Sequence, residues 1–143
     1  MRIYNYDIVL QEVPDEISLC ITVCGCNLKC DGCHSPHTWG NSGKEFTIID
    51  FKKLLNNYKN YITCVLFMGG EWTDDLCIML EYAKSINLKT CLYTGLNNLQ
   101  INNVDYLKTG RWIKELGGLN SITTNQIFQN TKTGEILNYK FIK

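Results

Sequence analysis

The chain has 143 residues, a length that suits one domain (residues 1–143) built round a single core. Its 14 basic residues balance 14 acidic ones, which argues against nucleic acid or an anionic membrane as the main partner, because either draws a basic excess. No run approaches the ~20 apolar residues of a membrane span, and the first residues carry neither the apolar core nor the cleavage site of a signal peptide. A cytoplasmic protein is therefore expected, with its eight cysteines reduced.

In chain order, residues 3–13 read as a first strand that Pro14 ends. Residues 17–23 alternate more strictly. Ile17, Leu19, Ile21 and Val23 fall on one face, with Cys20, Thr22 and Cys24 on the other. Residues 38–44 hold two glycines, an asparagine and a serine and read as a loop. Thr47, with Asp50 three residues on, has the form of a capping box, and Ile48, Phe51, Leu55 and Tyr58 make one helical face after it. Residues 64–68 are continuously apolar, as a strand covered on both faces should be.

Gly69-Gly70-Glu71 follows that strand, and a helix beginning near Thr73 would bury Leu76, Met79, Leu80 and Ala83. Asp74 and Asp75 suit its first turn, where the helix dipole favours negative charge. Residues 89–93 predict a further strand ending in Thr94-Gly95, residues 104–107 a shorter one, and residues 127–141 a hairpin turning at Lys132-Thr133-Gly134. Alternating strands and helices predict an α/β fold with parallel βαβ units. The chain is too short for an eight-fold barrel, so a small partial (β/α) barrel or open, mostly parallel sheet with a C-terminal β-hairpin is expected. Loops after the carboxyl ends of such strands build the site.

Cys26, Cys30 and Cys33 close the loop after the second strand in CxxxCxxC spacing. Three thiolates so spaced can hold three irons of a 4Fe–4S cluster and leave the fourth iron open, where cluster sites usually take four cysteines. A structural zinc site is the competing reading, with Cys30 and Cys33 as one pair and Cys24 with Cys26 or His34 supplying the rest, but no second ligand pair lies ~12–20 residues away as zinc modules usually have. Cys64, Cys77 and Cys91 read as small buried hydrophobes. A packing role is also the expectation for Cys20 and Cys24.

The triplet resembles the signature of the radical S-adenosylmethionine (SAM) enzymes, although Gly32 stands where many members carry an aromatic residue. The resemblance implies that SAM chelates the open iron. One electron from the cluster then cleaves its sulfonium to methionine and a 5′-deoxyadenosyl radical. Gly69, Gly70 and Glu71 are similar to the family's Gly-Gly-Glu, which implies that they hold the SAM amino group, with Thr94 and Gly95 lining the ribose and Lys108 a weaker SAM contact.

Residues 26–39, Tyr93-Thr94-Gly95, residues 105–110, Gly117-Gly118-Leu119 and Thr123-Thr124-Asn125-Gln126 resemble the activating proteins of anaerobic ribonucleoside-triphosphate reductases. Glu12-Val13-Pro14-Asp15-Glu16, Arg111-Trp112 and Ile127 depart from that pattern. The implied activity is that of a glycyl-radical activase, with hydrogen abstraction from a C-terminal glycine of the reductase and reduced flavodoxin or a similar protein as electron donor. Asn125 and Gln126 would bond the glycine loop or simply satisfy a turn. Asp105 and Lys108 would hold SAM, position that loop, or form a surface ion pair. His34 and His37 read as loop-capping residues beside the cluster. A small radical SAM enzyme with a small-molecule substrate, of the deazapurine synthase kind, is the alternative enzyme reading. A zinc-stabilised interaction module without catalysis is the third.

Overall fold

The computed structural model describes residues 1–26, 38, 40 and 43–142. Among the described residues the strands and α-helices are, in chain order, strands β1 (Arg2–Val9), β2 (Ser18–Val23) and β3 (Lys44–Glu45), helix α1 (Ile48–Tyr58), strand β4 (Cys64–Met68), helix α2 (Asp75–Ser85), and strands β5 (Lys89–Tyr93), β6 (Tyr106–Thr109) and β7 (Ile127–Asn130). The strands form one open sheet in the order β3-β1-β2-β4-β5-β6-β7. The four central strands β2, β4, β5 and β6 run parallel, and β1 and β7 flank them antiparallel. The result is the α/β, open and mostly parallel sheet expected from the alternation of elements, and it does not close into a barrel.

Period-two alternation sorts the strand residues between two cores. Leu19, Ile21 and Val23 of β2, Val65 and Phe67 of β4, and Leu92 of β5 meet both helices. On α1 the buried residues are Phe51, Leu54 and Leu55, and on α2 they are Leu76, Met79, Leu80 and Ala83. Phe51 is the hinge of this layer, with its ring 5.7 Å from Phe67 and 6.2 Å from both Phe46 and Tyr82. The capping box is complete: Asp50 N–H donates to Thr47 Oγ1 at 3.2 Å and Thr47 N–H to Asp50 Oδ2 at 2.9 Å. The opposite face holds Cys20, Cys64, Leu66, Cys91 and Phe128, covered by Val13, Leu119 and Leu137 from connecting segments.

The first strand, expected over residues 3–13, ends at Val9, well before Pro14, and four further expectations need correction. Ile17 is 42% exposed and precedes β2, because the ladder with β4 begins at Ser18↔Cys64. Cys77 is exposed on α2, since its helical position faces away from the buried Leu76 and Leu80. The strand expected over residues 104–107 lies two residues later, where Leu107 pairs with Leu92 and Gln129. Val104 is buried but outside the ladder, so its hydrophobicity misplaced the start. Lys44, expected as the last residue of a loop, instead forms with Glu45 a two-residue edge strand paired to Arg2 and Ile3.

The C-terminal hairpin turns where expected, with Gly134 at φ +75 and its N–H donating to Asn130 at 2.8 Å. Its return arm is short. After a single Gln129↔Ile136 bridge the chain enters a 3-10 turn over Asn138–Phe141. Asn138 replaces the missing strand: its Oδ1 accepts from Phe128 N–H and its Nδ2 donates to the Gln126 carbonyl, both at 2.8 Å.

Candidate functional site

Parallel pairing brings the carboxyl ends of β2, β4, β5 and β6 side by side. The last parallel pairs are Thr22↔Met68 between β2 and β4, Met68↔Tyr93 between β4 and β5, and Tyr93↔Lys108 between β5 and β6. Beyond them the loops are tied to one another. The N–H groups of Gly25 and Cys26 donate to the Thr38 carbonyl at 2.7 and 3.1 Å, Gly69 N–H donates to Tyr93 at 2.9 Å, and Thr94 N–H donates to Lys108 at 2.9 Å. Gly69 and Gly70 hold φ of +87 and +107, a region that side chains rarely adopt.

These ends enclose a cavity of about 180 Å³. Cys26, Gly69, Glu71, Thr94, Gly95 and Lys108 all line it, so six of the expected site residues meet at one place. Gly70 is buried in the same turn. Cys30, Cys33, Gly32, His34 and His37 lie outside the described residues. Among the described residues no group of three or more His, Cys, Asp or Glu side chains could hold a metal.

The Glu71 carboxylate carries the chemistry of the cavity. Its Oε1 accepts from the Thr94 hydroxyl at 2.5 Å. Its Oε2 is buried and has no partner among the described residues. A buried carboxylate oxygen left unpaired is costly, and such oxygens are nearly always satisfied. The geometry therefore suits a cationic donor, such as a ligand ammonium, entering the cavity. Lys108, which also lines the cavity, donates to the Gly110 carbonyl at 2.9 Å and lies 5.7 Å from the centre of the Tyr93 ring, so a positive group shares the cavity with the carboxylate.

A larger open groove of about 670 Å³ adjoins the cavity and shares Tyr93, Lys108, Trp112 and Gln126 with it. Tyr93 donates its phenol hydrogen to the Glu12 carbonyl, and burial pushes its pKa far above the usual range. Gln126 is buried and donates to Gly110 at 3.4 Å, while Asn125 donates to Arg111 at 3.1 Å. Both amides thus serve a turn of their own chain, although Gln126 also faces the cavity and the groove.

Asp105 does not join the site. It sits at the amino end of β6, where Lys84 donates to its two oxygens at 3.0 and 2.7 Å and Thr90 N–H donates at 2.9 Å. Asp105 and Lys108 therefore belong to opposite ends of the sheet. Residues that sequence reasoning passed over are Trp72, Tyr93 and Trp112 as cavity walls. Trp72 had a signal: it directly follows Gly-Gly-Glu and is large for a turn.

Residues 17–117 match the family described as the 4Fe-4S single cluster domain. The matched span contains Cys26, Cys30, Cys33, the Gly-Gly-Glu turn, Thr94 and Lys108. The chain is also similar to the pyruvate formate-lyase-activating enzyme of Clostridium pasteurianum, with 36% identity over 78 residues. That similarity covers 51% of this chain and 31% of the relative, so the match spans about a third of the curated protein's length. No helix among the described residues is long and apolar enough to cross a membrane.

Proposed function

Because the chain belongs to the 4Fe-4S single cluster domain family, we propose that it is a radical SAM activase of the glycyl-radical kind. Cys26, Cys30 and Cys33 are the cluster ligands in this reading. A cluster held by these thiolates would supply the one electron needed to cleave SAM to methionine, and transfer of a hydrogen atom from a glycine α-carbon to the 5′-deoxyadenosyl group would give 5′-deoxyadenosine and a stored glycyl radical. The electron comes from an external low-potential one-electron donor, for which a reduced flavodoxin is suited.

The observation that carries the proposal is the buried Oε2 of Glu71, without a partner among the described residues, in a cavity that Cys26 also lines. Glu71 accepts the ammonium of SAM at that oxygen, and Thr94 fixes the carboxylate by holding its other oxygen. Gly69 and Gly70 supply the positive φ values, +87 and +107, that bring Glu71 round to the cavity and that side chains rarely adopt. Lys108 and Gly95 line the remaining wall. The adjoining open groove favours a polypeptide substrate over a small metabolite, since it leads from the cavity to the surface without a closed chamber. The anaerobic ribonucleoside-triphosphate reductase is the proposed partner.

Anaerobic reconstitution with iron and sulfide, followed by dithionite and SAM, tests the reading. The expected products are 5′-deoxyadenosine and, with the reductase present, a glycyl radical seen by electron paramagnetic resonance. SAM turnover with a free metabolite but none with the reductase would favour the small-molecule alternative. A colourless protein that holds stoichiometric zinc would overturn the cluster itself.

A further inference from the structure

Trp72 lies outside the ligand set proposed above, yet its indole touches both loops that meet at the cavity. Its Nε1–H donates to the Cys24 carbonyl at 3.1 Å, two residues before Cys26. The ring also lies against two glycines, one from each loop. A Cβ at Gly25 would stand 2.8 Å from Nε1, and a Cβ at Gly69 would stand 2.5 Å from Cη2. Gly25 and Gly69 both have positive φ, +104 and +87, so each is glycine for its conformation and for the room the indole takes.

The β2–β4 ladder ends at Thr22↔Met68. Past that pair one segment leads to Cys26 and the other to Glu71, and Trp72 contacts both. The indole fills the space between them. It is held there by a tight turn: Thr73 N–H and the Thr73 hydroxyl both donate to the Gly70 carbonyl, at 2.9 and 2.8 Å, which folds Trp72 back over Gly69. Trp72 remains 39% exposed, so full burial does not account for its position. The specific hydrogen bond and the two glycine contacts do.

We infer that Trp72 is a positioning residue, which sets the spacing between the cluster-bearing loop and the Glu71 carboxylate and so governs how SAM bridges the two. The inference rests on the SAM reading of this cavity. A role in packing alone would lower stability without altering SAM affinity in the folded protein. A spacer must alter that affinity and the way SAM perturbs the cluster.

The test uses the reconstituted full chain in its unreduced state, where SAM binds without being consumed, with equilibrium dialysis for affinity. Electron paramagnetic resonance of the dithionite-reduced cluster, before SAM and in samples frozen at once after its addition and before it is consumed, reports how closely SAM approaches the irons. Trp72→Phe keeps a ring and removes the N–H. It is expected to retain iron and to bind SAM about fivefold to tenfold more weakly, as loss of one net hydrogen bond implies, with a smaller SAM-induced change in the resonance spectrum. Gly25→Ala is read alone and together with Trp72→Ala. The φ strain is common to both backgrounds, so its effect on SAM affinity should be smaller where the indole is gone.

Loss of iron from Trp72→Ala with an unchanged circular dichroism spectrum also supports the inference, because the loop carrying Cys26 has then lost its anchor. If wild type binds SAM while iron-replete Trp72→Phe matches it within about twofold, well under one net hydrogen bond, and Gly25→Ala has the same effect in both backgrounds, the inference is overturned and the activase reading stands. If wild type itself binds no SAM, both fall together.

Discussion

The Thr94 hydroxyl donates to Oε1 of Glu71 at 2.5 Å and leaves Oε2 of the same carboxylate buried without a partner among the described residues. One strand end thereby aims a functional group carried by its neighbour, since Thr94 follows β5 and Glu71 follows β4. Hydrogen bonds to a charged group contribute about 1.5–3 kcal/mol, so Glu71→Gln should weaken SAM binding roughly tenfold to a hundredfold. Thr94→Val, which keeps the volume and loses the hydroxyl, should weaken it less, by about fivefold. Equilibrium dialysis against the unreduced, reconstituted protein measures both. A Glu71→Gln variant that binds SAM as wild type does would remove the carboxylate from the site.

Cys26 is the one expected cluster ligand among the described residues, and it lines the cavity that holds Glu71. Wild-type protein reconstituted under anaerobic conditions should be brown, with about four irons per chain, as a single 4Fe–4S cluster requires. Cys26→Ala should lose most of that iron and its visible absorption. Cys64→Ala, a buried thiol of the opposite core, should keep both. Iron analysis and the absorption spectrum decide between these outcomes. Equal iron in wild type and Cys26→Ala would contradict the assignment.

The parts of the fold legible in the sequence were those set by local periodicity. Residues 64–68, a continuous apolar run closed by Gly69-Gly70, and residues 89–93, closed by Thr94-Gly95, match their strands to the residue. Leu76, Met79, Leu80 and Ala83 were read from helical spacing alone. What escaped depends on long-range pairing. The start of β6 is fixed by partners in β5 and β7, and the return arm after β7 gives way to the Asn138 side chain, whose two bonds no local pattern announces. The site followed the same division. Gly69-Gly70-Glu71 and Thr94 were legible as motifs at strand ends, whereas Trp72 matters through contacts with Gly25 and Cys24, about fifty residues away in sequence.

The correction at Cys77 has a direct chemical consequence. Cys77 is exposed on α2, while Cys20, Cys64 and Cys91 are buried in the core of the opposite face. Burial pushes the thiols of Cys20 and Cys64 up to about 12 and raises Cys91 as well, against an ordinary value of ~8.5. Since the thiolate is the nucleophile, maleimide should label Cys77 in the native protein and reach the other three only on unfolding. Raising the pH by one or two units should not change that order. Peptide mapping by mass spectrometry after a timed pulse checks it, and early labelling of Cys64 or Cys91 would contradict the packing described here.

Asp105 provides a control for the site and a stability prediction of definite sign. Burial alone would raise its pKa, but the bonds from Lys84 and the Thr90 N–H outweigh that effect and hold the carboxyl below the usual range. A carboxyl depressed in the folded state contributes stability in full above its unfolded value, ~3.9. That contribution is lost as pH falls through the folded value. Asp105→Asn should therefore destabilise the protein by about 1–3 kcal/mol at neutral pH, since two donors lose a charged acceptor. The gap to wild type should close on acidification below the folded pKa, where Asp105 is protonated in both states. Urea unfolding at a series of pH values measures the difference. SAM affinity should not change, because Asp105 lies at the amino end of β6 and the Glu71 cavity at the carboxyl ends of the parallel strands. A variant that lost SAM binding while remaining folded would place Asp105 in the site after all.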